Sequence, residues 1–201
     1  SQTVPRGITT FVVERGTPGL STGKPEEKLG MRSSDTVAVM LDNVRVPDSH
    51  RLGAVDRGFD DVRAVLEHGR VMISALSLGF ARGALEESER KAFGKELVAF
   101  QLIQEKLADM ATQVEAGRLM VYHAAWLLDQ GTCSVQKAAM TKLFTSEMAT
   151  KACMEAIQIL GGYGYLRDYN VERYMRDAKL CEIGEGTSEV MRILIAKDVG
   201  L

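Results

Sequence analysis

Apolar and polar positions follow one period up to about Gly58 and another beyond it. The first stretch reads as β-structure. Ile8–Val13 is rich in β-branched and aromatic residues and ends at the turn-prone run Glu14–Gly19. Thr36–Leu41 is a second expected strand, and Asp42-Asn43 offers a turn before a third, Val44–Val46. Three strands cannot hold a core unaided, so this piece should complete a larger β-domain. Beyond Gly58, Phe59, Leu66, Ile73 and Phe80 recur every seven residues, each followed three positions later by Val62, Gly69, Leu76 or Gly83. That stripe predicts one long helix. A second is expected over Val98–Gln130 with Ile103, Leu107, Met110, Val114 and Val121 inward, ending at Gly131. A third should run over Ser134–Leu160 and stop at Gly161-Gly162. A fourth should begin at Thr187-Ser188, both good N-caps, and turn Val190, Ile193 and Leu194 inward. All four prolines, Pro5, Pro18, Pro25 and Pro47, lie in the first quarter, leaving the rest free for long helices. The expected fold is mainly α, an antiparallel four-helix bundle preceded by a partial β-domain of three strands, with β-structure confined to residues before about Gly53.

Composition narrows the function more than the fold. A hydrophobic fraction of 45% allows a sizeable core, and a net charge of −2 without long runs of one sign argues against nucleic-acid or membrane-surface binding. No segment has the length and apolarity of a membrane span, and Ser1–Thr10 is not a signal peptide. The sequence opens at Ser1 without a methionine, which reads as a fragment or a processed product. Cys133, Cys153 and Cys181 are far apart, and His50, His68 and His123 share no ligand spacing, so no metal is expected. Three cysteines in a low-cysteine chain fit a reducing compartment.

Three segments could carry chemistry. In Glu182–Glu189, Glu185 stands between Gly184 and Gly186 just before a helix. Desolvated by a bound substrate, such a carboxylate becomes a useful general base; its other reading is simple stabilisation of the helix N-terminus. In Gln158–Tyr165, three glycines in four positions could cradle a phosphate or a flat ring, or could merely end a helix. In Glu89–Lys95, Arg90 could clamp a pyrophosphate while Phe93 stacks on a ring, or the turn could simply be solvated.

The order and spacing of these segments say more than each does alone. Gln158–Tyr165 followed by Asp168, Arg173 and Asp177 resembles the long C-terminal signature of the acyl-CoA dehydrogenases. Glu185–Glu189, with Arg192 and Lys197, is similar to the catalytic-loop motif that follows it in that family. Arg90–Lys95 with Phe100-Gln101 resembles the family's flavin-contacting turn, and Gly7 through Pro47, including Lys28–Ser34, the second half of its β-domain. The resemblance implies that residues 1–52 end a β-domain, that residues 53–201 form the helical domain, and that FAD and an acyl-CoA bind. It further implies a homotetramer or homodimer that passes electrons to an electron-transferring flavoprotein. Glu185 would be the base, its N–H polarising the thioester carbonyl. Glu67, Arg70, Gly186 and Lys197 would border the substrate. Arg90, Phe93, Phe100, Gln101, Gln158, Ile159, Leu160, Gly161 and Gly162 would hold the pyrophosphate and adenosine end of a flavin across a subunit interface. Thr187, Ser188 and Glu189 would reach the flavin from the catalytic loop. The reaction implied is α,β-dehydrogenation of the thioester to a 2-enoyl-CoA. The alternatives are a related acyl-CoA oxidase, a nitroalkane oxidase (in which an aspartate would be expected in place of Glu185), and a non-catalytic helical assembly fragment. The implied location is cytoplasmic in a bacterium or archaeon and the mitochondrial matrix in a eukaryote.

Three departures stand out. The family's N-terminal helical domain and the first half of its β-domain are absent from this sequence. Ala84–Lys91 is shorter than the family pattern by about five residues, a phase change of roughly 140° in a helix. Glu189 stands where many relatives carry glutamine. Some relatives place the base on the first long helix; the matching position here is Gly69, which leaves the role to Glu185.

Overall fold

The computed structural model describes residues 7–88, 91–92, 95–96 and 99–200. They fall into two compact units. Residues 7–28 with Arg32–Leu66 make one, and Leu29–Met31 with the described residues from Glu67 onward make the other.

The first unit contains two small antiparallel pairings. β1 (Thr10–Phe11) pairs with β4 (Arg51–Leu52), and β2 (Leu20–Thr22) pairs with β3 (Val39–Leu41) in the register Leu20↔Leu41, Ser21↔Met40, Thr22↔Val39. β1 and β3 lie inside two of the expected strands. Val44–Val46 is not a strand: the β2–β3 ladder stops at Leu20↔Leu41, and no ladder partner faces the next residues. All of β3 is exposed, Leu41 to 63%, so the pairings carry no apolar core of their own. A further short hairpin, β5 (Lys91–Ala92) with β6 (Lys95–Glu96), follows Gly53 and lies outside the region where β-structure was expected.

The second unit is a helical bundle built around α3 (Val135–Leu160). It packs against α2 (Gln101–Asp129), α4 (Val171–Ile183) and α5 (Ser188–Asp198). Ser134 caps α3 by accepting the Lys137 N–H at 3.1 Å, and Gly161 ends it at φ 59°, a left-handed position suited to glycine. The core is built from small residues. Ala81 and Ala84 of α1 (Gly58–Glu87), Ala149, Ala152, Cys153 and Ala156 of α3, and Ala178 of α4 are almost wholly buried. Small side chains let helix axes approach closely, and Gly117 of α2 faces the Met148 side chain for the same reason. Buried hydroxyls turn back on their own helices: Ser74 donates to the Arg70 carbonyl, Ser77 to Ile73, Thr141 to Lys137 and Thr145 to Thr141.

Two inward faces differ from the expected ones. On α1 the buried line runs through Val71, Ser74, Ser77, Ala81 and Ala84, while Leu76 is exposed and Ile73 and Phe80 sit at its flanks. On α5 the buried residues are Ser188 and Met191, and Val190 and Ile193 face outward. In both cases buried positions go to small or hydroxyl-bearing residues while more apolar neighbours stay partly or fully exposed. The bundle also has a fifth helix, α4, in a segment where none was expected.

Candidate active site

The site is assembled where α4 hands over to α5. α4 ends at Gly184, whose N–H donates to the Leu180 carbonyl, and Thr187 caps α5 by accepting the Val190 N–H at 3.4 Å. Between them Glu185 and Gly186 both adopt left-handed backbone, at φ 57° and 97°. For glutamate this costs on the order of 1–2 kcal/mol, so surrounding contacts must enforce it. They come from two buried cationic side chains. Arg70 Nε on α1 donates to the Glu185 carbonyl at 3.4 Å, and Lys142 Nζ on α3 donates to the Gly186 carbonyl at 2.7 Å. Arg70 is 7% exposed and Lys142 fully buried. Burial pushes the Arg70 guanidinium below its ordinary range, opposed by the charges of Glu67 and Glu185.

The Glu185 carboxylate, half-buried, lies over Gly69. A Cβ built on Gly69 would come within 2.5 Å of Glu185 Oε2. α1 thus leaves a one-carbon gap opposite the carboxylate, and any side chain there would displace it. Glu67, one turn from Arg70, is half-buried beside it. Lys197 is exposed on the last turn of α5.

Ser188 is buried at 5% exposure, and its Oγ has no hydrogen-bond partner among the described residues. An orphaned hydroxyl at a helix N-terminus suits a polar ligand group. Glu189 is exposed, and its carboxylate is held below the usual range by its own backbone N–H and by the Thr187 hydroxyl. Of the expected cofactor turn, Ile159 and Leu160 point into the core, so they can offer a ligand only backbone. Gly161 and Gly162 are open: a Cβ on either would meet nothing within 4 Å. Gln158 is exposed, and its carbonyl accepts the Gly161 N–H. Phe100 and Gln101 are exposed at the start of α2. Arg90 and Phe93 lie outside the described residues. The unpartnered Ser188 hydroxyl can take a polar group of a ligand, and the open glycine turn leaves space and backbone groups for one.

Sequence reading gives no role to Lys142. The available signal is its place on the buried face of α3, at i+4 from Ala138 and i+3 from Ala139, where an aliphatic residue is the usual occupant. Among the described residues no group of three or more His, Cys, Asp or Glu could hold a metal, and no helix is long and apolar enough to cross a membrane.

The sequence model for the C-terminal domain of acyl-CoA dehydrogenases matches residues 56–200. A Bacillus subtilis acyl-CoA dehydrogenase is 47% identical over 196 residues, 95% of this chain and 52% of the relative. The CarC subunit of the caffeyl-CoA reductase–Etf complex of Acetobacterium woodii is 42% identical over the same length, with the same shares. The structure of Megasphaera elsdenii butyryl-CoA dehydrogenase superposes with a TM-score of 0.94 at 41% identity, covering 97% of this chain and 52% of that one. The chain spans about half the length of the curated relatives it matches.

Proposed function

The chain belongs to the acyl-CoA dehydrogenase family, matching its C-terminal half, and on that premise we propose that it carries the catalytic base of an FAD-dependent α,β-dehydrogenation of an acyl-CoA thioester. The observation that carries this reading is the strained turn at Glu185. A carboxylate facing a gap on α1 and carried on left-handed backbone, whose carbonyls are held by two buried cationic side chains, is placed at a structural cost that packing alone does not require.

Glu185 removes the α-proton of the thioester, and its N–H donates to the carbonyl oxygen on which negative charge develops. Arg70, beside the carboxylate, fixes the turn and adds positive charge near the reacting centre. Bound FAD would supply the acceptor for the hydride that leaves the β-carbon, so that the substrate loses one proton and one hydride and becomes a 2-enoyl-CoA. Ser188, Thr187 and Glu189 would contact that cofactor from the catalytic loop, and Gln158, Gly161 and Gly162 its phosphate and adenosine end in a neighbouring subunit. Arg90, Phe93, Phe100 and Gln101 complete that set, and Glu67, Gly186 and Lys197 border the acyl-CoA. An electron-transferring flavoprotein is the proposed acceptor. The support is a relative that is by name part of an Etf complex. A homotetramer or homodimer is proposed as the assembly.

Glu185→Gln in the flavin-loaded protein tests the reading. The amide keeps the size of the carboxylate but cannot accept the α-proton, so stopped-flow flavin reduction should fall about 10²–10⁴-fold or more. Acyl-CoA titration of the flavin spectrum should stay near normal. Reduction within a few-fold of wild type, together with its loss in Glu67→Gln, would move the base to α1.

A further inference from the structure

We infer that Lys142 is the positioning residue for the Glu185–Gly186 turn, holding the proposed base in place from α3. Its catalytic consequence rests on the proposed function; the clamp itself does not.

Lys142 is fully buried, and its amine donates to a neutral carbonyl, that of Gly186, 44 residues away in sequence. Among the described residues it forms no ion pair. The acids of its neighbourhood are engaged elsewhere, Glu147 with Arg192 at 2.7 Å and Glu182 with Lys179 at 2.6 Å. Nor do nearby hydroxyls need it, since Thr141 and Thr145 are satisfied by their own helix. Burial pushes the Lys142 ammonium below its ordinary range, and the charge of Arg70 opposes it further. Methionine would fill the same volume without the desolvation cost, so the amine must serve something.

What it serves is the turn. The Glu185 carbonyl belongs to the peptide before Gly186 and the Gly186 carbonyl to the peptide after it. Arg70 fixes the first and Lys142 the second. With both planes fixed, the backbone rotations at Gly186 are fixed, and the carbonyl end of Glu185 is anchored within the turn. α3 packs against α2, α4 and α5, so the hold comes from the element around which the bundle is built.

Lys142→Met in the flavin-loaded protein separates a clamp from ordinary core packing. At pH 7, well below the ordinary lysine range, the buried charge opposes folding, so its removal should leave Tm unchanged within about 3 °C or raise it. Hydrogen exchange, read by mass spectrometry without any turnover, should rise about 10-fold in the peptide covering residues 184–188 and stay constant in α3 and α4. Flavin reduction should slow about 10–100-fold while acyl-CoA affinity changes less than about 3-fold, because a misplaced base loses transition-state rather than ground-state interactions. Unchanged exchange at residues 184–188 overturns the proposal whatever the rate does. So does increased exchange spread evenly through α3 and α4, which is the mark of a damaged core. Local loosening in a protein whose Glu185→Gln variant still reduces flavin normally would uphold the clamp and overturn the proposed function. Should Lys142→Met fail to fold, the same exchange and flavin-reduction measurements on Lys142→Gln decide.

Discussion

Gly69 and Glu185 share one small volume, and their coupling makes stability and activity move in opposite directions. Alanine is better than glycine inside a helix by about 0.5–1 kcal/mol. A Cβ on Gly69 would nevertheless sit 2.5 Å from Glu185 Oε2. The neighbour that must give way is the end of a flexible side chain, so the fold can absorb it while the carboxylate moves. Gly69→Ala should therefore leave Tm equal or slightly raised and slow flavin reduction about 10-fold or more. Calorimetry and stopped-flow mixing read the two effects separately, and an unchanged rate would show that the carboxylate works from another position. Glu185 itself was legible in the sequence, since a carboxylate between two glycines before a helix is a local pattern. Lys142 was not, because nothing within a few residues of it shows that a carbonyl 44 positions later needs a donor.

Among the elements, α2 and α3 form close to where the apolar period and the Ser134 and Gly161 caps put them. α4 was hidden by its own surface. Glu172, Arg173, Arg176, Asp177, Lys179 and Glu182 make nearly half of its residues charged, and its inward positions, Val171, Tyr174, Ala178 and Cys181, are too few and too small to stand out. They do recur at helical spacing, i, i+3, i+7 and i+10. α4 also anchors a distant piece of chain. The Met31 N–H donates to Asp177 Oδ1 at 2.5 Å, and Arg176, bridged to Glu172, donates to the Leu29 carbonyl at 3.0 Å. A Cβ on Gly30 would strike the Arg176 carbonyl and approach Asp177 Oδ1 to 2.6 Å. Because backbone cannot yield as a side-chain tip does, Gly30→Ala should destabilise by about 1–3 kcal/mol. Limited proteolysis should then cut within residues 25–35 faster than in wild type. Equal cutting would mean that the anchoring bonds hold without close approach.

At the scale of the whole molecule, stability should depend on pH through a buried thiol. Burial pushes Cys153 up to about 12 from an ordinary value of 9.0. Above pH about 9 the unfolded chain releases this proton and the folded chain keeps it, so the fold loses up to about 1.4 kcal/mol per pH unit until about pH 12. Below pH 9 both states hold the proton and the effect vanishes. Urea midpoints under reducing conditions should fall between pH 9 and 10.5, and less steeply in Cys153→Ala; parallel slopes would show that this thiol is not shielded. The sequence by itself determined the division into a β-part and a helical part, the caps that start α3 and α5, and the place of Glu185 between two glycines before a helix, because periodicity, capping and turn chemistry act over a few residues. The tertiary structure decided which face of α1 and α5 is buried, since packing takes in the small Ser74, Ala81 and Ser188 and leaves larger neighbours such as Leu76 and Ile193 exposed. It decided also that Arg70 and Lys142, 72 residues apart, converge on two adjacent carbonyls. Hydrogen bonds between distant elements exist only once packing has brought their helices together, and no local pattern of residues encodes them.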